Sequence, residues 1–325
     1  MAKHIKSNTD FNGLLKPDII KTGKKKIPVF KLFRQKEIDY SYQRNISFSQ
    51  FQLYSQCPHR WYTQYVEKAT STPPNIHMVF GTAIHHVFQH YLTVGYNTSF
   101  AAADREDIQG MFQTKMMEEY QEQYRKYGSH FSEAAEMREF YEDGLAILDW
   151  FKKRRRVYFS GRGMHLVGVE MPLQKEISKN VIYKGFIDLV MYDDYDGTVT
   201  IYDLKTSTKG WNDYNKKDET KISQVLLYKQ FFSELYDYPI DKINVEFMIL
   251  KRKAEPTEYQ GFPKRIQQFK PASGKNKVKQ SQEKLNEFVK ACFDDNGKYI
   301  IKEHPKNITK LCGWCPLDNT SLCVK

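Results

Sequence analysis

Three consecutive strand signals lie between residues 165 and 204 of this 325-residue chain. Segments 165–177, 181–192 and 198–204 are rich in Val, Ile and Tyr, and Asp196-Gly197 separates the latter two. An Asp-Gly pair between such runs is a strong hairpin signal, so the block has to fold as a β-meander. Helical period precedes it. After it come a helix over 219–236, a strand through Val245–Leu250 and a helix over 281–293. Strands bracketed by helices imply an α/β core with a helix-covered sheet.

Residues 1–45 lack a sustained period and read as a basic arm, leaving 46–325 as the folded domain. Ser49 with Gln52 three positions later matches a capping box, and Phe51, Tyr54, Tyr62, Tyr65 and Val66 form a helical stripe broken at Cys57-Pro58. Pro73-Pro74 marks a linker, and 81–93 reads as a helix with Ile84, Val87, Phe88 and Tyr91 on one side. Residues from about 96 to 160 are charged, helical in period and free of strand signals, which suggests a helical insertion. Segment 255–279 reads as a basic loop, and 310–325 is a cysteine-bearing tail.

Hydrophobic residues make up 40% of the chain, enough for a buried core and too many for general disorder. No apolar run approaches the ~20 residues of a membrane span, and Met1-Ala2-Lys3-His4 opens no signal peptide, so a cytoplasmic location without membrane attachment is expected.

The net charge of +11 is unevenly spread. Residues 1–44 hold eleven Lys/Arg against four Asp/Glu, Lys152-Lys153-Arg154-Arg155-Arg156 is an unbroken basic run, and 261–280 holds six basic residues, Lys264, Arg265 and Lys270 among them, and no acid. With Phe30, Phe33, Phe262 and Phe269 interleaved, this is the pattern of phosphate-backbone binding. Solvated surface charge is the plainer alternative for any one cluster.

Asp203-Leu204-Lys205 ends a strand, where alternation puts the two charged side chains on one face. Such a triplet is weak evidence alone, since Glu219-Thr220-Lys221 has the same form without comparable context. Asp188, fifteen positions before Asp203 on the neighbouring strand, strengthens it. Two acids meeting at one end of a hairpin repel unless a cation joins them, and hard oxygen ligands suit Mg²⁺ or Mn²⁺.

At the other end of the chain, Cys312, Cys315 and Cys323 form C-x2-C-x7-C. Three thiolates leave a tetrahedral or cubane site one ligand short, and Cys57 is the natural fourth. Proline after Cys57 and after Cys315 fits iron-sulfur ligation, with Zn²⁺ as the structural alternative. Cys292, on a helix, reads as a buried small hydrophobe.

In order along the chain, Ser47-x-Ser49 with Tyr54 and Cys57-Pro58, Gly81-x-x-x-His85, Gly185-Phe186-Ile187-Asp188, Asp203-Leu204-Lys205 and Gln224-x-x-x-Tyr228 resemble the motifs of the PD-(D/E)xK nucleases. Within that superfamily they are similar to the RecB-like exonuclease branch, which includes iron-sulfur CRISPR-associated and AddB-type nucleases. The resemblance implies a restriction-endonuclease-like core, a central mixed sheet flanked by helices. It assigns divalent-metal binding to Asp188, Asp203, the Leu204 carbonyl and His85. Lys205 would orient or deprotonate the attacking water, Gln224 and Tyr228 would position Lys205 or a DNA end, and Glu170 would sit behind the metal or bind a second one. It also implies a [4Fe-4S] cluster joining the two ends of the domain, although the spacing to Cys323 is longer than is usual in those relatives. The activity implied is a metal-dependent exonuclease acting on DNA, single-stranded or with free ends, in recombination, repair or processing. The alternatives are a nuclease subunit of a recombination or CRISPR-adaptation assembly, a nonspecific endonuclease, and a structural iron-sulfur protein with relic motifs. There is no G-x-x-x-x-G-K-[ST] loop, so any unwinding would need a helicase partner.

Overall fold

The computed structural model describes residues 44–159, 161, 163–254 and 263–323; the arm over residues 1–43, with Phe30 and Phe33, and Phe262 lie outside the described residues. A short strand, β1 (Arg44–Ser47), comes first, and the meander follows as β2 (Met164–Ser178), β3 (Val181–Asp193) and β4 (Thr198–Ser207). The Asp-Gly turn is where the sequence puts it. Gly197 takes φ +71°, which glycine adopts without steric cost, and its N–H donates to the Asp193 carbonyl.

β5 (Ile243–Lys251) and β6 (Ile266–Phe269) complete a six-stranded sheet in the order β1-β3-β4-β5-β6, with β2 on the remaining edge of β3. The sheet is mixed. β4 and β5 are parallel, and a parallel pair needs a crossover, which the helix over Glu219–Tyr236 supplies. The apolar run Val245–Leu250 except Glu246 is the mark of a strand covered on both faces.

Among the described residues the six long helices, in chain order, are α1 (Phe48–Gln56), α2 (Ile76–Asn97), α3 (Ile108–Tyr127), α4 (Ala134–Phe159), α5 (Glu219–Tyr236) and α6 (Lys275–Cys292). One face of the sheet packs on α1, α5 and α6 through Phe51, Leu227, Phe231, Phe247 and Phe288. The other packs on α2, α3 and α4 through Phe88, Phe112, Phe151, Leu204 and Met248. α2 lies directly on the strands, and the segment read as an insertion, α3 and α4, packs mainly against α2, through Phe80–Phe112 and Phe88–Phe151, to complete this layer. Buried Arg252 ties this layer to the strand ends: its guanidinium lies 3.6 Å over the Phe140 ring, pairs with Asp143 at 3.1 Å and reaches Thr208 Oγ1 at 3.3 Å. Among the described residues no helix is long and apolar enough to cross a membrane.

Several boundaries differ from the sequence reading. Arg44 and Asn45 belong to β1, because Val181–Lys184 of β3 offer them a parallel edge. The cap of α1 is Ser47 and not Ser49; Ser47 Oγ accepts from Gln50 N at 3.4 Å. α2 starts five residues early because Asn75, just past the proline pair, caps it through Met78 N. The basic stretch 255–279 contains β6 and the first turn of α6, so it is not all loop.

The two ends of the described domain meet in an aromatic cluster. Trp61 packs edge-on against Phe288 at 5.4 Å, Phe288 also contacts Phe51, Tyr54 and Phe293, and His304 stacks on Tyr62 at 4.9 Å. Backbone and side-chain bonds reinforce the junction, with His59 N donating to the Pro305 carbonyl at 3.1 Å and Asn307 Nδ2 to the Gln56 carbonyl at 2.8 Å. Phe288→Ala should therefore cost about 3–5 kcal/mol, read as a lower denaturation midpoint in urea with an unchanged slope.

Candidate active site

β3 divides one of its edges between two partners. Val181–Lys184 pair with β1, and Leu189–Asp193 pair with β4. The four residues between, Gly185-Phe186-Ile187-Asp188, line a fork at which the two partners part. Leu189 pairs with Tyr202, so Asp188 comes abreast of Asp203. On the other side, Val169–Leu189 and Met171–Ile187 pairs bracket Glu170 and put it opposite Asp188. Three acids from three adjacent strands therefore stand in a row.

Asp203 is almost wholly buried, and its Oδ2 lies 2.8 Å from Lys205 Nζ. Leu204, between them, points into the opposite core. Lys205 Nζ also donates to Gln224 Oε1 at 3.0 Å, and Gln224 Nε2 donates to Tyr228 Oη at 3.0 Å. Gln224 and Tyr228 are one turn apart on α5 and share a face. Gly185 leaves room for this: a Cβ there would lie 3.0 Å from Tyr228 Cε1. Asp188 Oδ2 accepts from Leu204 N at 2.6 Å, and Asp188 Oδ1 lies 4.0 Å from His85 Nδ1. His85 comes from α2, so helices from both faces of the sheet reach the fork.

The site is electrostatically tense without a cation. Burial, and then the charge of Asp203, push the Asp188 carboxyl well above the usual carboxylate range. Burial likewise raises Asp203, against the pull of Lys205. Burial alone would lower the Lys205 ammonium, but Asp203 and Asp188 hold it above its ordinary value, so it is charged. His85 is driven down to about 3 by burial and then by Lys205, which leaves its imidazole neutral with a lone pair free to ligate.

Among the described residues no three His, Cys, Asp or Glu side chains converge closely enough to hold a metal by themselves. Mg²⁺ does not require it, since it keeps several waters and binds through one or two carboxylates and substrate phosphate oxygens. Buried Asp203 and half-buried Asp188, whose mutual repulsion a cation would relieve, fit such an ion. Asp188, Asp203 and the Leu204 carbonyl are the groups that would hold it, with His85 beside them.

One participant was not evident from the sequence. Gln89, one turn after His85, donates from Nε2 to Glu170 Oε1 at 2.7 Å and to the Asp188 carbonyl at 3.1 Å. Its spacing from His85 is the one signal that marks its face. The decoy triplet is elsewhere: Glu219 pairs with Lys277 and Lys284 at 3.0 and 2.9 Å, bridging α5 to α6.

Several of the basic residues read as DNA contacts are engaged by partners within the fold. Lys152 Nζ donates to the Asp104 carbonyl, Arg155 forks onto the Asp104 carboxylate, and Lys153 pairs with Asp149 at 2.7 Å. Arg154 is half-buried and Arg156 exposed on the same helix, where successive residues turn about 100° and scatter the run around the axis. Lys264 is exposed, Arg265 donates to the Arg252 carbonyl, and Lys270 lies 3.5 Å from buried Glu246. Phe269 packs on Trp211 and Phe247.

Cys57, Cys312, Cys315 and Cys323 all line one cavity between the Gln56–Arg60 segment and the C-terminal segment from Lys306, although no three of the thiols stand at ligating separations. Cys292 is fully buried apart from them, and burial pushes its thiol up to about 12.

Carboxylates on adjoining strands, a lysine two residues after the second, and a helix that holds that lysine define a phosphodiester-hydrolysing centre. Residues 45–320 match the family model for the PD-(D/E)XK nuclease superfamily, and the chain belongs to that family of nucleases. A search of curated proteins gives no match. These nucleases usually use Mg²⁺ or Mn²⁺.

The raised Asp188 pKa has a signed consequence for stability. An acid whose folded pKa lies above its unfolded value favours folding while protonated, and that contribution is lost as pH rises through the folded pKa. Asp188→Asn keeps an acceptor for Leu204 N and removes the charge. In chelator it should melt like wild type near about pH 4, close to the unfolded carboxylate value, and should be the more stable protein by roughly 2–4 °C at pH 8.

Proposed function

We propose that this nuclease is a metal-dependent deoxyribonuclease of the cytoplasm that hydrolyses DNA from its ends, on single strands, in recombination, repair or processing. The observation that carries the reading is the contact chain Asp203–Lys205–Gln224–Tyr228 with His85 beside Asp188. In the RecB-like branch the His and Q-x-x-x-Y motifs accompany end-processing enzymes. A bound divalent ion would act as a Lewis acid and lower the pKa of a water ligand. The charged Lys205, held by Asp203 and Gln224, stabilises negative charge on the phosphate and orients the water. Gln224 accepts from Lys205 while donating to Tyr228, so its amide has one orientation and sets the lysine's direction.

Asp203→Ala and Lys205→Ala should each lower cleavage of end-labelled single strands by about a thousandfold with Mn²⁺ while leaving DNA binding in place. Glu219→Ala should cleave at the wild-type rate. Covalently closed single-stranded circles give an exonuclease no end to engage; if circles vanish as fast as linear strands of equal length, the enzyme is a nonspecific endonuclease.

The reading extends to a [4Fe-4S] cluster on Cys57, Cys312, Cys315 and Cys323, supported by the four thiols lining one cavity and by the prolines after two of them. Protein purified without oxygen should be brown with about four irons per chain, and Cys57→Ser should lose colour. One zinc per chain without visible absorbance would replace the cluster with a Cys₄ zinc site.

A further inference from the structure

Glu170 is a non-glycine residue at φ +45° in the interior of a strand. The ladder register is the same on either side of it, with Val169 opposite Leu189 and Met171 opposite Ile187. An L-residue is strained there, and strain of this kind persists where the surroundings enforce it. The residue as a whole is exposed, yet its carboxylate turns inward and accepts from Gln89, which is 95% buried. Gln89 Nε2 spends its second proton on the Asp188 carbonyl. Both partners are acceptors, so the amide has one possible orientation and its two donors are fully used. One side chain on α2 thus spans β2 and β3 behind the acid row, one turn beyond His85.

We infer that Gln89 is a positioning residue for the divalent-metal site: it fixes the Glu170 carboxylate and the Asp188 backbone relative to His85, so that the acid row is set before an ion arrives. The inference rests on the reading that Asp188 and Asp203 hold a metal. Gln89 contributes no ligand. It acts through Glu170, occupying a lone pair of Oε1 and leaving Oε2 for an ion, its water or a substrate contact. Residues in this position, one bond behind the ligands, orient them and tune affinity.

The test is Mn²⁺ binding to the full chain, measured by electron paramagnetic resonance of free Mn²⁺ without DNA, alongside thermal melting in chelator. Gln89→Met keeps the volume and removes both donors. It should weaken Mn²⁺ binding by about tenfold while the melting temperature in chelator stays near wild type. Glu170→Gln should weaken binding similarly, and Gln89→Met on the Glu170→Gln background should add little, because both changes interrupt one path. Asp203→Asn is the separate control. If Asp203→Asn binds Mn²⁺ like wild type, the metal-site reading itself fails. If Asp203→Asn loses binding but Gln89→Met retains wild-type affinity, or if the two Gln89 and Glu170 effects are additive, the role given to Gln89 is overturned.

Discussion

A strand edge can satisfy one neighbour along its whole length or be shared, and β3 is shared. β1 takes the N-terminal half of the edge and β4 the C-terminal half. Backbone groups in the gap are released from the ladder, and the gap is where Asp188 turns its carboxylate onto Leu204 N. Had β4 paired along all of β3, Leu204 N would be spent on the β3 backbone in place of the Asp188 carboxylate. The fork therefore creates the site, and the two helical layers exist around it: α5 brings Gln224 and Tyr228 from one face, α2 brings His85 and Gln89 from the other.

Burial raises the stakes at this fork. A buried Asp203 beside a partly buried Asp188 is costly unless paired, and here Lys205, reaching in from the rim, serves both acids. The arrangement trades stability for readiness, as functional sites commonly do. Arg252 handles a similar burden differently. With Asp143, Thr208 and the Phe140 ring all satisfied in one place, it is a closed structural pair that joins α4 to the strand ends next to the site.

Much of this was legible in the sequence wherever local chemistry decided the outcome. α5 begins where its pattern does because Asp218 caps it through the Thr220 and Lys221 N–H groups, and it ends at Asp237, which turns the chain at φ +50°. The Asp-Gly turn fixed the β3–β4 register, and with it the meeting of Asp188 and Asp203. β1 and β6 were not legible. Each is four residues long, and Ile266-Gln267-Gln268-Phe269 becomes a strand because Phe247–Leu250 present an edge to it. α6 starts in a lysine-rich turn with no side-chain cap, so its onset follows from burial of Val278 and Ser281 against its neighbours. Gln89 and the Asp143–Arg252 pair bridge residues 81 to 109 positions apart, which local pattern does not encode.

The aromatic junction of the two domain ends bears on how the protein is made. Phe51, Tyr54 and Trp61 are synthesised more than 220 residues before Phe288, which closes over them. A ribosome adding about 5–20 residues per second leaves that face uncovered for on the order of 10–50 seconds. Until α6 is made, α5 and the strands cover only part of the apolar side of α1, and Phe51, Tyr54 and Trp61 lack Phe288, leaving a patch of the sort that chaperones bind. Native topology thus sets a late, single closing step, and products of interrupted translation retain the patch permanently.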